Sequence, residues 1–486
     1  MKGSTAILLA TVAVFCAHSE ENPAPPIKAA EAFAEPAPVP VPPGPFDLQT
    51  CFELAVLRSE TLGMKEEDIR VAQARYWQAV GAVLPKVHLL TSESIRNRSS
   101  AGGFSSGVID TSAGDNSSSL VGGGGSRPDS FSSRINVKQP IFSGFREFNL
   151  GQAAGAQERA SVHDRKRAYQ LLYLDVSDVF YQILMYEGDL RILAQTQKTL
   201  QERIVELEKR VKLGKSRPGE LLMAKADLAD AAVAVEKTRG LLGASRELLA
   251  FLCGIPADAF HLKDSQLFPS ADALEAYLRG SGERPDVLAA IEAERSARKQ
   301  LSAAKGEHWP TISAEGNYYL KQSPDRGQEW SVFLTCDLPI FEGGIIEAKV
   351  SEQRALVRQS QLNLEQLRRT ADKDIRTAYN NFIASVAQVL QLKEAVRIAE
   401  ENHKAQTNDY KLGVVTNLDV LTSVRQLHDT RQKLLDAEME ARDNLIQLHV
   451  AAGETPSASG AKPERAPFKP DETRPAPSPT LDKDGD

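Results

Sequence analysis

The chain contains two short motifs that each occur twice at one constant spacing. A Pro-Ile-Phe-x-Gly segment begins at Pro140 and again at Pro339, and a Lys-Leu-Gly segment begins at Lys212 and again at Lys411. Each second copy lies 199 residues after the first. A constant spacing over this stretch indicates two units that share one architecture without insertions between the motifs. Any fold for this chain must therefore use the same unit twice.

The composition favours long helices over a large globular core. Only 6% of the 486 residues are aromatic, and 25% are charged. The net charge is −7 with both signs interspersed, so the chain lacks the basic stripe with which a nucleic-acid binder contacts phosphates. Nucleic acid is therefore not an expected partner.

The first residues are typical of a secretory signal peptide, which we place at 1–19. Lys2 precedes an apolar run at 6–15, and small residues follow at Ala17 and Ser19. The run is too short to span a bilayer as a helix, so export is predicted. Lipid attachment at Cys16 is the less favoured alternative, because the residue before it is the bulky Phe15.

The rest of the chain divides into two units with flexible flanks. Pro-rich and charged segments at 20–45 and 454–486 predict a linker and a disordered tail. The first unit spans 46–254, a connection spans 255–283, and the second unit spans 284–453. Cys51, Cys253 and Cys336 have no metal-ligand spacing, so we expect three small buried apolar residues.

Each unit opens with a helical pattern and then two strand patterns. The helical patterns at 46–84 and 285–307 stop before Pro85 and Pro310, since proline cannot continue a helix. After each proline, apolar and polar residues alternate. In the second strand of each unit, the apolar residues fall at equivalent positions. The first unit carries a Gly- and Ser-rich segment at 97–130, which predicts a long exposed loop between its strands.

The alternation leaves two kinds of sheet open. Strands of about ten residues with one apolar face suit a membrane barrel. They suit a soluble sheet equally well. Four strands cannot close a membrane barrel, because the smallest known barrels have eight. Membrane insertion therefore requires several chains to close one barrel.

After the second strand of each unit, the apolar period becomes helical. A heptad seam runs from Leu172 to Val211, and its counterpart runs from Ala371 to Tyr410. A helix at 146–212 would be about 100 Å long at the rise of an α-helix. Gly214 and Gly413 are expected to end the long helices. Partner helices at 220–252 and 417–449 then run back, so each unit is a strand hairpin attached to a long helical hairpin.

The order of these motifs resembles the TolC-type outer-membrane efflux family. The resemblance covers most of 46–453 and rests on the repeated Pro-Ile-Phe-x-Gly together with four further segments. These are Leu-Pro-Lys at 84–86, Trp-Pro at 309–310, Arg-Pro-Asp-Val at 284–287, and the Lys-Leu-Gly to Asp-Val-Leu stretch at 411–421. Any one of them is weak, but together and in this order they are specific.

The resemblance implies a mainly α-helical chain with membrane β-strands. Four strands per chain would contribute to a trimeric twelve-stranded barrel in outer-membrane lipid, above a periplasmic tunnel of antiparallel helices. The family exports solutes or proteins, as efflux or type I secretion, with a periplasmic adaptor and an inner-membrane pump. It implies no catalysis and no cofactor, and it places most of the mass in the periplasm.

The resemblance also implies functional positions. Asp419 matches an acidic residue that lines the closed aperture in relatives, and Glu220 holds the equivalent place in the first unit. Capping of a helix start is the alternative role for both carboxylates. Thr422 and Val415 stand where relatives have charged groups, which weakens the case for a salt-bridge latch. Cations for a latch would then come from Lys215, Arg217 and Arg425.

Two further sets of residues are expected at contacts. The tips are predicted to touch the adaptor through Lys212, Leu213, Gly214, Lys411, Leu412 and Gly413. The junctions between barrel and helices are predicted at Pro140, Phe142, Gly144, Pro339, Phe341 and Gly343. The histidines are dispersed along the sequence and the methionines are few, so the sequence does not support a specialised metal exporter.

Two other classes of protein remain as alternatives. A periplasmic coiled-coil scaffold or adaptor that never enters a membrane would use the same helices with a small soluble sheet. A hydrolase is disfavoured, because the sequence has no His-Glu-x-x-His motif and its single Gly-x-Ser-x-Gly match, at 103–107, lies inside the Gly- and Ser-rich segment and not between a strand and a helix. An export channel explains both the strands and the helices.

Overall fold

The structure is a computed structural model that describes residues 45–95, 129–264, 271–323, 327 and 329–454. The predicted signal peptide at 1–19 lies outside the described residues. So do nearly all of the predicted linker, Gly- and Ser-rich loop and tail.

Helices and strands follow one another in the same order in the two halves of the chain. The first half contains α1 (Leu48–Arg58), α2 (Glu60–Gly81), β1 (Lys86–Ile95), β2 (Asp129–Ser143), α3 (Arg146–Lys212) and α4 (Pro218–Cys253). The second half contains α5 (Leu274–Arg279), α6 (Pro285–Gly306), β3 (Thr311–Ser323), β4 (Trp330–Asp337), α7 (Ile345–Leu412) and α8 (Asn417–Ala451).

The single helix expected at 46–84 is two helices. Ser59 separates them, because its backbone is extended, with φ −61° and ψ 109°. The Ser59 hydroxyl accepts a hydrogen bond from the Leu62 amide at 3.2 Å, which caps the start of α2. The prediction of one continuous helix was therefore wrong at this residue.

The strands form one antiparallel sheet in the order β1-β2-β3-β4. Lys86 lies opposite Lys138 between β1 and β2, and Thr311 lies opposite Asp337 between β3 and β4. The β2–β3 register shifts between Pro140 and Phe142. Pro140 has no N–H to donate, so a bulge at this point is the expected accommodation.

The two long helices have the predicted heptad packing. α3 contains 67 residues and α7 contains 68. Leu172, Ile183 and Leu207 are buried along the α3 seam, and Ile375, Phe382 and Val389 are buried along the α7 seam. None of the seam positions predicted on either helix is exposed. Within the described residues, no helix is both long and apolar enough to cross a membrane.

The largest core lies beside α1, away from the sheet. There Phe52 packs edge-on against Tyr169 and Tyr173 of α3, each at 4.8 Å between ring centroids. Cys51 and Cys253 are buried in this core, as expected for small apolar residues. Cys336 is exposed on β4, so the expectation that it would be buried was wrong. Strand alternation does not by itself distinguish a core face from an outward face.

The junction between β2 and α3 depends on a glycine. Gly144 has a φ of 62°, and a side chain there would overlap the backbone carbonyl of Gly306 at the end of α6. Gly144 therefore combines a left-handed conformation with a close approach of two backbones.

Gly144→Ala should destabilise the folded chain by roughly 2 kcal/mol or more, because left-handed strain and the overlap with Gly306 act together. Gly240→Ala is the matched control, since Gly240 is in the middle of α4 with open space around it. The control should be neutral or stabilising by up to about 1 kcal/mol. Thermal unfolding of the two variants checks the difference, and equal midpoints would contradict it.

Candidate functional site at the tips of the helical hairpins

Both long helices end in the same hydrogen-bonded turn. The Lys215 amide donates to the Arg210 carbonyl at 2.8 Å, and the Gly214 amide donates to the Val211 carbonyl at 3.0 Å. At the second tip, Val414 donates to Asp409 at 2.9 Å, and Gly413 donates to Tyr410 at 3.1 Å. These pairs form a Schellman motif, which needs a left-handed residue at the glycine.

The six residues predicted to contact an adaptor lie on the surface of these turns. Gly214 and Gly413 have φ values of 66° and 78°. Leu213 and Leu412 are exposed beside them although leucine is apolar. Exposed leucines on two neighbouring turns provide an apolar surface with lysines at its edge, which is the type of surface that a protein partner covers.

The two acidic residues predicted at the aperture both lie at helix starts. Asp419 forms a capping box at the start of α8, where its carboxylate accepts hydrogen bonds from the Thr416 amide at 2.8 Å and hydroxyl at 2.6 Å. These hydrogen bonds hold the pKa of Asp419 below its ordinary value, and the bond from the Thr416 hydroxyl has the larger effect. Glu220 accepts a hydrogen bond from the Ser216 hydroxyl at 2.6 Å in the first turn of α4.

A buried polar contact joins the two tips. Asn417 is 1% exposed, and its side-chain oxygen accepts a hydrogen bond from Arg203 Nε at 2.9 Å. Its amide nitrogen donates to the backbone carbonyl of Glu220 at 3.3 Å. One side chain at the start of α8 thus contacts both α3 and α4. Because Arg203 is buried as well, this contact fixes the position of α8 against the first hairpin.

Tyr410 lies under two guanidinium groups. Arg203 is 3.6 Å from the centroid of the Tyr410 ring, and Arg210 is 4.4 Å from it. The ring belongs to a small apolar cluster separate from the main core. The cluster draws residues from all four hairpin helices: Leu200, Ile204, Leu207, Ala224, Tyr410, Val420, Leu421 and Val424.

The expected cations have different surroundings. Arg425 forms an ion pair with Asp227 of α4, so it links two helices. Lys215 and Arg217 are exposed beside the first tip. The tip network therefore consists of Arg203, Asn417, Tyr410 and the Arg425–Asp227 pair. Sequence reasoning missed the role of Arg203 and Asn417, because they are 214 residues apart and Arg203 belongs to no motif.

His403 lies at the base of this network. Its Nδ1 is 3.0 Å from the Ser423 hydroxyl oxygen. Burial, and then the positive charges of Arg431 and Arg203, lower the pKa of His403. Burial lowers the pKa of His428 as well. Both histidines are consequently neutral in the folded tip at neutral pH.

The structure places the two predicted junctions in different surroundings. Phe142 packs edge-on against Phe145 at 5.4 Å, and Gly144 contacts Gly306. Phe341 and the preceding Ile340 are exposed, and Gly343 has open space around it. Across the part of the chain that the structure describes, no cluster of three or more His, Cys, Asp or Glu side chains could hold a metal ion.

Asn417→Ala should loosen the tips, because it removes the acceptor of the buried Arg203 Nε–H and the hydrogen bond to the Glu220 carbonyl, at a cost of roughly 2 kcal/mol. Amide hydrogen exchange around 203–224 and 410–424 should become faster than in the wild type. Asn408→Ala, an exposed change on α7, is the control. Unchanged protection in Asn417→Ala would show that the contact does not hold the tips together.

The histidines predict that the tips loosen in acid. Since their pKa values are lowered in the folded tip, the stability that the neutral histidines contribute is full above the unfolded pKa of about 6.5 and decreases as the pH falls below it. Hydrogen exchange at the tips, corrected for intrinsic rate, should therefore be faster at acidic than at neutral pH. His403→Gln should reduce this difference, and the double change with His428→Gln should remove it. A pH dependence unaffected in the double variant would rule the histidines out.

Sequence comparisons agree with the architecture. The sequence model of the family described as "Outer membrane efflux protein" matches residues 52–254 and 281–454. The chain is 24% identical over 344 residues to "Outer membrane protein TolC" of Vibrio cholerae, covering 67% of this chain and 77% of that protein. It is 24% identical over 342 residues to "Cation efflux system protein CusC" of Escherichia coli, covering 66% and 73%.

A solved structure shares the fold. The outer membrane protein VceC from Vibrio cholerae superposes with a TM-score of 0.72 at 19% identity, covering 84% of this chain and 96% of that chain. The family match includes both strand hairpins and both helical hairpins, and therefore both tips. The chain belongs to the outer membrane efflux protein family.

Proposed function

We propose that this protein is the outer-membrane channel of a tripartite export system, a passive conduit from the periplasm to the exterior. It lies in the outer membrane, like the family to which it belongs. The observation that carries the proposal is a sheet with one polar and one apolar face, continuous with two helical hairpins of about 100 Å.

The outward face of the sheet suits lipid. Leu334 is 70% exposed, and Leu89 and Trp330 are exposed as well. In a water-soluble sheet these side chains would need a covering layer, and large exposed apolar patches are rare in soluble monomers. Lipid contact accounts for them without any further element. The apolar face of the sheet is therefore the membrane-facing side of a barrel wall.

The other face suits a water-filled interior. Asn136 donates to Asn317 Oδ1 at 2.9 Å and to Glu315 Oε1 at 2.7 Å. Arg134 and Lys138 lie on the same face of β2 by strand alternation. A row of hydrogen-bonded polar side chains next to charged ones is typical of the inside of a membrane barrel.

A sheet of four strands leaves β1 and β4 as edges. Unpaired backbone groups at an edge are too costly in hydrocarbon, so the barrel must close across chains. Two copies would already give the eight strands of the smallest known barrels, so strand number alone does not select the number of chains. From the family to which the chain belongs we infer a homotrimer with a twelve-stranded barrel, built from two similar units per chain, in which the helical hairpins continue the barrel as a periplasmic tunnel.

The tips are the inner end of this tunnel. Leu213, Leu412 and their lysine and glycine neighbours form the surface that a periplasmic adaptor would contact, and the adaptor would couple the channel to an inner-membrane pump. Asp419 and Glu220 would line the aperture. The Asn417 contacts hold the second hairpin against the first, so opening requires that they break.

A periplasmic scaffold is the alternative, and the exposed apolar face of the sheet argues against it. Fractionation separates the two. Recovery in the outer-membrane fraction, released only by detergent, is expected of the channel. Recovery as a soluble periplasmic protein would overturn the proposal.

Purified protein should form channels in planar bilayers, and Asp419→Ala should lower the cation-over-anion permeability ratio by roughly threefold, because a ring of carboxylates favours cations. Thr416→Ala is the matched control, since it breaks the capping box and keeps the charge. Equal ratios in the two variants would make Asp419 a helix cap alone. Absence of channels from trimeric protein would reject the channel itself.

A further inference from the structure

Two cysteines that are distant in the sequence meet in the largest core. Cys51 lies in α1, and Cys253 is the last residue of α4, 202 positions later. Both are 0% exposed, and both are thiols in the structure. The Cys253 Sγ donates a hydrogen bond to the Cys51 carbonyl oxygen at 3.4 Å. The Cys51 thiol is hydrogen-bonded to the Cys253 thiol in turn, so the two sulfurs are neighbours.

The backbone on both sides of the pair is held at close range. Just after α4 the chain turns at Gly254, whose φ is 69°, and a methyl group there would lie 2.9 Å from Cγ of Arg58 at the end of α1. Just before α1, Phe46 donates its amide hydrogen to the His261 carbonyl at 2.7 Å and accepts one from the Lys263 amide at 2.9 Å. The two cysteines therefore stay adjacent as long as this core is folded.

The compartment decides the oxidation state of such a pair. The chain belongs to a family of outer membrane proteins, whose helical part lies in the periplasm. The periplasm is oxidising, so disulfides form and persist there, whereas thiols in the cytosol are kept reduced. Two adjacent cysteines in an exported protein thus have both the partner and the environment that a disulfide requires.

We propose that Cys51 and Cys253 form a structural disulfide in the exported protein. The oxidant is a periplasmic dithiol–disulfide oxidoreductase in its disulfide form. One cysteine thiolate attacks that disulfide and displaces one of its sulfurs. The second cysteine thiolate then attacks the mixed disulfide, which forms the bond between Cys51 and Cys253 and releases the oxidoreductase as a dithiol. The two electrons and the two thiol protons pass to its two sulfurs.

The exchange takes place before the core closes. In the folded chain neither sulfur is exposed, so no oxidoreductase reaches it. The hydrogen bond with Cys253 and then burial also raise the pKa of Cys51, which keeps its reactive thiolate scarce. Oxidation therefore acts on the exported chain while it folds. The same core then shields the bond from reductants.

The bond would join the two ends of the first unit. Cys51 lies in the first helix of that unit and Cys253 at the end of its last helix, so the closed loop contains β1, β2 and the whole first helical hairpin. Closing a loop of this length restricts the unfolded chain strongly. The second unit has Ala452 at the position equivalent to Cys253. The tie is thus specific to the first unit.

Cys336 leaves the pairing unambiguous. It is exposed on β4, on the face that carries Leu334 by strand alternation. That face is the proposed lipid-facing side of the sheet, far along the chain from the core around Phe52. Cys336 is therefore the expected free thiol, and it serves as an internal control for labelling.

Thiol mapping of the full-length protein, extracted from outer membranes, tests the bond. The protein is denatured in iodoacetamide without reductant, then reduced, treated with N-ethylmaleimide and digested. Cys51 and Cys253 should carry N-ethylmaleimide in most molecules, and Cys336 should carry iodoacetamide. Digestion without reduction should give one peptide pair that joins Cys51 to Cys253. Iodoacetamide on all three cysteines in most molecules would overturn the disulfide.

This measurement is independent of conduction. Conducting trimers with alkylated Cys51 and Cys253 would overturn the bond and leave the channel standing. Protein that carries the bond but forms no channels would reject the proposed function alone.

Equilibrium unfolding provides a second measurement, because the reductant reaches the sulfurs through the unfolded chain. Reductant should lower the denaturant midpoint of the wild type by roughly 0.5 M guanidinium chloride. Cys336→Ser should show the same shift. Cys51→Ala with Cys253→Ala should show none, since it has no bond to lose. If the two cysteines only fill space, reductant would leave every midpoint unchanged, which would count against the bond.

Discussion

Backbone hydrogen bonding in the bilayer is the constraint on which the architecture depends. In hydrocarbon every strand edge must find a partner, because water is absent. A chain with four strands cannot meet this requirement by itself, because β1 and β4 remain the unpaired edges of its sheet. Assembly of several chains thus follows from the number of strands in each chain, and the long helices extend from the barrel that the strands form.

The helical part meets its own requirement differently. Each long helix buries a narrow heptad seam against its partner, so stability is distributed along the rod. Buried apolar clusters add to it locally. The largest is the aromatic core around Phe52 beside the first long helix, and another is the small cluster around Tyr410 at the tips. The cluster at the tips holds the ends of the two helical hairpins together.

The local periodicity of apolar residues predicted most of the helices and strands. It could not predict contacts between residues that are distant in sequence. The helix 146–212 was predicted with the bounds that the structure has, because the helical period begins after Gly144, a heptad seam runs from Leu172 to Val211, and Gly214 ends the helix. The break at Ser59 was missed, since one extended residue leaves the helical period nearly unchanged. The Arg203–Asn417 contact was missed because its partners come from different helices. For Asp419, the capping geometry emerged from the structure, whereas a pore position depends on neighbouring chains.

The two tips share one turn of backbone but begin their return helices differently. The first uses Pro218 at its start, and the second uses the Thr416 and Asp419 capping box. In a ring of three chains, six tips would therefore alternate between two kinds. A partner that binds the backbone of the turns would find six equivalent sites, whereas a partner that binds the side chains would find three sites of each kind. The number of partner molecules that dock therefore depends on whether the partner recognises the backbone or the side chains of the turns.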